Sequence, residues 1–274
     1  LDTKAPAAPS VKLANDSGIS ATDLRTNDGT LAWKGVEIDA TAQFSLDGGK
    51  TWSNAPALPE GGYGAVHVRQ IDAAGNVSPT ALALGTVVVK KSVAKPAVSL
   101  KLDTGSSATD RVTSDAAIAI ANLESKVTVE YSVDNALWTN SFKAKEGANT
   151  LWVRQKDDVG NVAASDRLDF TLDSSAAAPT AWLAVDSGSS DRDGITNVAT
   201  IATKGVETGA VLEYALNGGA WATSFAPVSG ANSVTVRQRD LAGNVSVASS
   251  AVAFTYDGRG ARVTGRTLGL EVTQ

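Results

Sequence analysis

Apolar and polar residues alternate along much of this chain. Leu151, Val153 and Gln155 fall on one side of an extended segment and Trp152, Arg154 and Lys156 on the other, the pattern of a strand with one buried face. Val66-His67-Val68 and Val234-Thr235-Val236 repeat the alternation. Turn residues separate such runs. Ser45-Leu46-Asp47-Gly48-Gly49-Lys50-Thr51-Trp52 predicts strand, tight turn and strand, and Asn217-Gly218-Gly219 supplies the same turn. Asp72-Ala73-Ala74-Gly75-Asn76 predicts another hairpin tip, because Gly and Asn tolerate the positive φ of a tight reversal. Helix is expected to be nearly absent.

The pattern is threefold. Asp16-Ser17-Gly18, Asp103-Thr104-Gly105 and Asp186-Ser187-Gly188 begin 87 and 83 residues apart. Each is followed by Val-Arg-Gln (Val68-Arg69-Gln70, Val153-Arg154-Gln155, Val236-Arg237-Gln238) and then by an Asp-x-x-Gly-Asn tip at Asp72, Asp157 and Asp240. A period of this length is a whole small domain, too long for a solenoid unit. About seven short strands per roughly 85 residues predict an all-β chain of three tandem Ig-like β-sandwich domains arranged end to end. The modules are expected at 1–89, 90–172 and 173–257, with 258–274 an unassigned C-terminal extension. The linkers Lys90–Pro96 and Asp173–Pro179 are too short to be free tethers, so neighbouring repeats of the same chain are the expected partners.

Composition narrows the function classes. Of 274 residues, 43% are hydrophobic and 19% charged, a soluble globular balance. A net charge of −5 argues against a nucleic-acid partner. There is no Cys, which removes disulfides and thiolate metal sites. No apolar run approaches the roughly 18 residues of a membrane span, so no membrane insertion is expected. No signal peptide is visible, the start at Leu1-Asp2-Thr3 reads as an excised fragment, and the chain is expected to be a monomer.

Asp is the acid that recurs at fixed places. A second Asp lies seven positions after the first in each module: Asp23 after Asp16, Asp110 after Asp103, Asp193 after Asp186. In an Ig topology that loop faces the following module, and the Asp-x-x-Gly-Asn tip faces the preceding one. Clustered carboxylates repel unless a hard cation lies among them, and Ca²⁺ takes six to eight oxygens with flexible geometry. We therefore expect calcium at the second junction on Asp103, Asp110, Asp173 and Asp240. At the first junction Lys90 takes the place of Asp173, leaving Asp16, Asp23 and Asp157 for weaker calcium or a rearranged site. Asp2 with Asp72, and Asp186 and Asp193 with Asp257, are expected half-sites. The plainer alternative is that these residues only form Asx-turns.

The motifs Leu1-Asp2-Thr3, Asp16-Ser17-Gly18-Ile19-Ser20-Ala21-Thr22-Asp23, Ser45–Trp52 and Val68–Asn76 resemble the bacterial Ig-like repeats of giant type I-secreted, RTX-type adhesins and biofilm-associated surface proteins. The resemblance covers 1–257 and implies a calcium-rigidified stalk on a bacterial cell surface, with the host or surface ligand bound elsewhere in the full-length protein. Asn135-Ala136-Leu137 in place of the Gly-Gly turn, and Lys90, depart from that pattern.

Catalytic readings find little. His67 is the only histidine and falls on the outward register of its strand, and no nucleophile has a positioned base. Gly49-Lys50-Thr51 lacks the first Gly of a phosphate loop, since Phe44 stands there. Trp52, Trp138 and Trp221 are expected to pack on the sheet, with Arg69, Arg154 and Arg237 over its outer face near acids. Trp152 beside Arg154 is a lesser candidate for a glycan platform. Two function classes result: an adhesin spacer without catalysis, or a binding module that contacts glycan or protein, including an accessory array of a secreted enzyme.

Overall fold

Alternating side chains, Gly- and Asn-rich turns and the lack of helical periodicity give an all-β chain of tandem sandwiches. The computed structural model describes residues 1–258, which form strands joined by turns and contain no helix. Of the expected C-terminal extension 258–274, residues 259–274 lie outside the described residues. Among the described residues no helix is long and apolar enough to cross a membrane.

The chain forms two compact units. One comprises Leu1–Ser99, Ile118–Lys143 and Thr150–Asp169; the other comprises Leu100–Ala117, Ala144–Asn149 and the described residues from Phe170 onward. Residues of the middle sequence repeat thus belong to both.

In the first unit, Ser10–Leu13 pairs antiparallel with Leu31–Lys34. Thr41–Ser45, Val66–Ile71 and Ala81–Leu84 form a second sheet. Arg25–Thr26 runs parallel to Val87–Val89, which also pairs with Gly61–Tyr63. The inward residues of these sheets (among them Leu13, Phe44, Val66, Val68 and Val87), with Leu58 from the loop before Gly61, make one buried core. Further along, Val127–Ser132 pairs antiparallel with Trp152–Asp157. Leu151, Val153 and Gln155 are buried there while Trp152 and Arg154 are half-exposed, as the alternation predicts.

In the second unit, Thr180–Leu183 pairs with Ile201–Lys204. A four-stranded sheet places Ile195–Thr196 parallel to Val252–Tyr256, then Gly230–Arg239 and Val211–Leu216. Its core is Val234, Val236 and Phe254, with Leu183, Ile201 and Tyr214 packed around them. Val112–Thr113 runs parallel to the chain at Thr171–Leu172 in the same way.

The turns follow the sequence. Gly48 and Gly49, and Asn217 and Gly218, have positive φ. Asn135 takes the same conformation where the Gly-Gly turn is missing, and Asp134 Oδ1 accepts from the Ala136 and Leu137 amides to hold it. On the outer faces, Arg69, Arg154 and Arg237 lie 4.2, 3.9 and 4.3 Å from the ring centres of Trp52, Trp138 and Trp221. Arg154 also donates to Glu130 and Arg237 to Glu213. These pairs account for the recurring Trp and Arg as sheet-face packing.

Candidate metal centre

The Gln of each Val-Arg-Gln run organises the start of its module. Gln238 is fully buried, and its Nε2 donates to Ala177 O at 2.6 Å and Gly205 O at 3.1 Å while its Oε1 accepts from the Glu207 amide at 2.8 Å. One side chain thereby fixes the linker, at Ala177, beside the turn that carries Glu207. Asn244 adds a latch, donating from Nδ2 to Asp173 O at 2.7 Å and to Asp240 Oδ2 at 2.7 Å. The Ala177 amide then holds Glu207 Oε1 at 2.8 Å.

This scaffold brings three carboxylates together. Oxygens of Asp173, Glu207 and Asp240 lie within 4.8 Å of one another. Asp240 is buried at 5% exposure, while Asp173 and Glu207 are half-buried. Burial pushes the Asp173 carboxyl above its ordinary value; the Ser175 amide opposes this, and the charges of Asp240, Glu207 and Glu146 add to the upward push. Each ionised pair at 4–5 Å repels by ~1 kcal/mol in water and ~4 kcal/mol at the effective dielectric typical of a protein surface. The donor set is all carboxylate oxygen, contributed by linker, turn and hairpin. Such a set suits a hard divalent ion that tolerates irregular geometry, which describes calcium better than magnesium.

Two of the four residues expected at this junction, Asp173 and Asp240, are therefore in the group, and Glu207 joins them. Asp103 and Asp110 are not members of it. Asp103 Oδ2 accepts from the Arg111 amide at 2.8 Å, and Asp110 Oδ1 from the Val112 amide at 3.0 Å in an Asx-turn. The same contacts recur for Asp16 with Leu24 and Asp23 with Arg25, and for Asp186 with Gly194 and Asp193 with Ile195. The second oxygen differs in character: Oδ1 of Asp16, Asp103 and Asp186 is buried without a hydrogen-bond partner in all three copies.

The expected meeting of loop and hairpin does occur within each unit. Thr104 Oγ1 donates to Ala242 O at 2.7 Å and the Ser106 amide to Leu241 O at 3.3 Å. Ser17 Oγ donates to Val159 O at 2.8 Å and the Ile19 amide to Asp158 O at 3.1 Å. In these two contacts the Gly of the Asp-x-Gly loop is required by close approach as well as conformation. A Cβ on Gly105 would lie 1.9 Å from Leu241 O, and one on Gly18 2.1 Å from Asp158 O.

The first junction has the same scaffold with one change. Gln155 Nε2 donates to Ala94 O and Asn122 O, Asn161 Nδ2 to Lys90 O, and the Ala94 amide to Glu124 Oε1. Lys90 stands in the Asp173 position, and its Nζ is 2.6 Å from Glu124 Oε2 and 3.0 Å from Asp157 Oδ2. Arg25 pairs with Asp158 through Nε and Nη2 at 3.0 and 3.1 Å. Asp157 thus meets an ammonium, while Asp16 and Asp23 are held by their own loop.

At the chain start, Asn76 Nδ2 donates to Asp2 O at 3.2 Å and to Asp72 Oδ2 at 2.9 Å, repeating the latch. Asp257 is exposed, and its amide donates to Thr196 O at 2.9 Å. The Glu of the trio escaped the sequence reading. Its signal was present as Glu37, Glu124 and Glu207, each 33 or 31 residues before the Gln whose Oε1 its amide meets.

No protein-family pattern and no curated protein matches this chain. Among solved structures it is similar to the fibronectin(III)-like modules of Clostridium thermocellum CbhA, at 15% identity and a TM-score of 0.31, covering 60% of this chain and 93% of that one. It is also similar to a structure of a 1.5-MDa bacterial ice-binding adhesin, at 17% identity and a TM-score of 0.31, covering 92% and 98%. Extracellular cadherin domains 3–6 of protocadherin gamma B2 match at 11% identity and a TM-score of 0.26, covering 91% and 76%.

Proposed function

We propose that this chain is a non-catalytic spacer segment of a secreted bacterial cell-surface adhesin, and that calcium stiffens it for attachment or biofilm formation. The supporting observation is the carboxylate trio of Asp173, Glu207 and Asp240 at a repeat junction. The trio sits at a linker, where an ion constrains the orientation of one sandwich against its neighbour. Bound calcium would offset two of the three negative charges and tie linker, turn and hairpin to one point. Extracellular modules bind calcium with Kd of about 0.1–1 mM, so a site of that affinity fills outside the cell.

Small-angle scattering of the chain with 1–2 mM calcium and with EDTA tests this. The expected result is a longer maximum dimension and lower flexibility with calcium. Superimposable profiles in the two conditions would overturn the reading.

A further inference from the structure

The two junctions are built on one framework and differ in the linker residue that meets its pair of acids, Lys90 in one and Asp173 in the other. The Asn latch reaches Lys90 O and Asp173 O across the same separation of 71 residues, and the Gln clamp reaches Ala94 O and Ala177 O across 61. The clamped amides of Ala94 and Ala177 hold Glu124 and Glu207 alike. Lys90 and Asp173 are therefore equivalent, and so are Glu124 with Glu207 and Asp157 with Asp240.

Lys90 directs its ammonium between the two remaining acids, 2.6 Å from Glu124 and 3.0 Å from Asp157. The Asp157 side chain is wholly sealed from water and Lys90 is itself three-quarters covered. A carboxylate buried to that degree is costly without a charged or hydrogen-bonding partner. Asn161 donates to it at 2.9 Å, and Lys90 supplies the countercharge. In the sister junction the same place in the linker holds a third carboxylate, which adds to the negative charge.

We propose that the residue at this linker position selects where each junction obtains its positive charge. Lys90 provides a cation tethered to the chain, so the first junction is closed without a divalent ion; Asp173 recruits one from solvent. This rests on the reading of Asp173, Glu207 and Asp240 as a calcium site. Its consequence is a chain in which neighbouring junctions respond differently to calcium, and in which a single substitution transfers the dependence.

Calcium binding to the full chain, measured by equilibrium dialysis after EDTA stripping, tests this with wild type, Lys90→Asp and Asp173→Lys. Asp173→Lys is expected to bind one ion fewer than wild type, and Lys90→Asp one ion more. Loss of an ion in Asp173→Lys with no gain in a folded Lys90→Asp refutes the selection by this position and leaves the calcium site standing. No loss in Asp173→Lys refutes the calcium site and the selection together. Should Lys90→Asp not fold in EDTA, refolding on addition of calcium supports the proposal, and failure to refold at 10 mM calcium overturns it. Asp173→Lys supplies an independent reading. Its new ammonium can meet Glu207 and Asp240 as Lys90 meets its pair, so its thermal melting should be the same in calcium and EDTA; a calcium-dependent shift as large as that of wild type overturns the proposal.

Discussion

Replacing Gly105 by Ala should open the contact between the Asp103-Thr104-Gly105 loop and the hairpin tip at Leu241-Ala242. The third repeat supplies an internal control. Gly105 and Gly188 occupy the same motif position with φ of +97° and +118°, but a Cβ on Gly188 meets only Ile195 O, at 4.0 Å. Both substitutions incur the backbone cost of an L-residue at positive φ, about 1–2 kcal/mol. Both also regain ~0.4–1 kcal/mol from a stiffer unfolded chain. Gly188→Ala should therefore cost roughly 0–1.6 kcal/mol.

Gly105→Ala carries a further term. The new methyl would lie 1.9 Å from Leu241 O and 2.9 Å from two carbonyl carbons, so loop and hairpin must part by more than an ångström. The bonds from Thr104 Oγ1 to Ala242 O and from the Ser106 amide to Leu241 O cannot survive that displacement. Two hydrogen bonds at ~0.5–1.5 kcal/mol each, with partners left partly buried, add roughly 2–4 kcal/mol. Native-state hydrogen exchange at the Ser106 amide is the direct assay, because it reports local opening rather than global unfolding. Exchange there should accelerate at least ~10-fold in Gly105→Ala, and the Gly188→Ala chain should match wild type. Equal destabilisation by the two variants, with Ser106 protection unchanged, would show that the close approach at Leu241 does not hold the loop.

Three other outcomes follow from the same geometry. With about 1 mM calcium and a Kd near 0.1 mM, mass action stabilises the junction by ~1.4 kcal/mol, raising the melting of a module this size by roughly 5–10 °C; Asp240→Asn should abolish the shift in a calorimetric scan. Gln238→Ala leaves the Glu207 amide and the Ala177 and Gly205 carbonyls without their partner, and should cost about 3 kcal/mol or more in urea melts; an effect under ~1 kcal/mol would remove the clamp from the account. In EDTA, the raised Asp173 pKa means that the folded chain holds this proton more tightly than the unfolded one. The stability from that proton is present below the ordinary value of 3.8 and is lost as pH rises through the folded value, so wild type should lose stability relative to Asp173→Asn across that window, and a flat difference refutes it.

Much of this architecture could be read from residue order. Alternation located the inward faces of Leu151-Trp152-Val153-Arg154-Gln155, and turn chemistry located the Gly48-Gly49 and Asn217-Gly218 reversals. The Ig topology inferred from the repeats placed the Asp-x-Gly loops against the Asp-x-x-Gly-Asn hairpins. The ligand group was legible only in part. Asp173 and Asp240 stood out because they flank the junction, whereas Glu207 lies on a turn whose position depends on the buried Gln238. Spacing along a chain identifies which loops meet but not which oxygens remain free. The Asx-turns at Asp110 and Asp23 occupy one oxygen each with the loop's own amides, a local competition that the seven-residue spacing does not reveal. The capacity of Lys90 to reach both Glu124 and Asp157 likewise emerges only once the clamp has fixed the linker beside them.

The second junction therefore combines two kinds of interaction with separate sensitivities. The loop contact and the Asn and Gln latches reach backbone carbonyls at Ala242, Leu241, Asp173 and Ala177, and of these donors only Asn244 also uses a carboxylate of the trio, Asp240 Oδ2. Removing calcium should leave these bonds in place and release only the repulsion among Asp173, Glu207 and Asp240. Exchange in EDTA should then rise at the Ser175 and Ala177 amides, whose acceptors are Asp173 Oδ1 and Glu207 Oε1, and stay constant at Ser106. Uniform acceleration at all three amides would mean that the ion holds the loop contact together as well, and the separation of docking from stiffening would fail. Under the expected outcome, the backbone contacts keep the repeats joined and calcium governs how freely the linker bends.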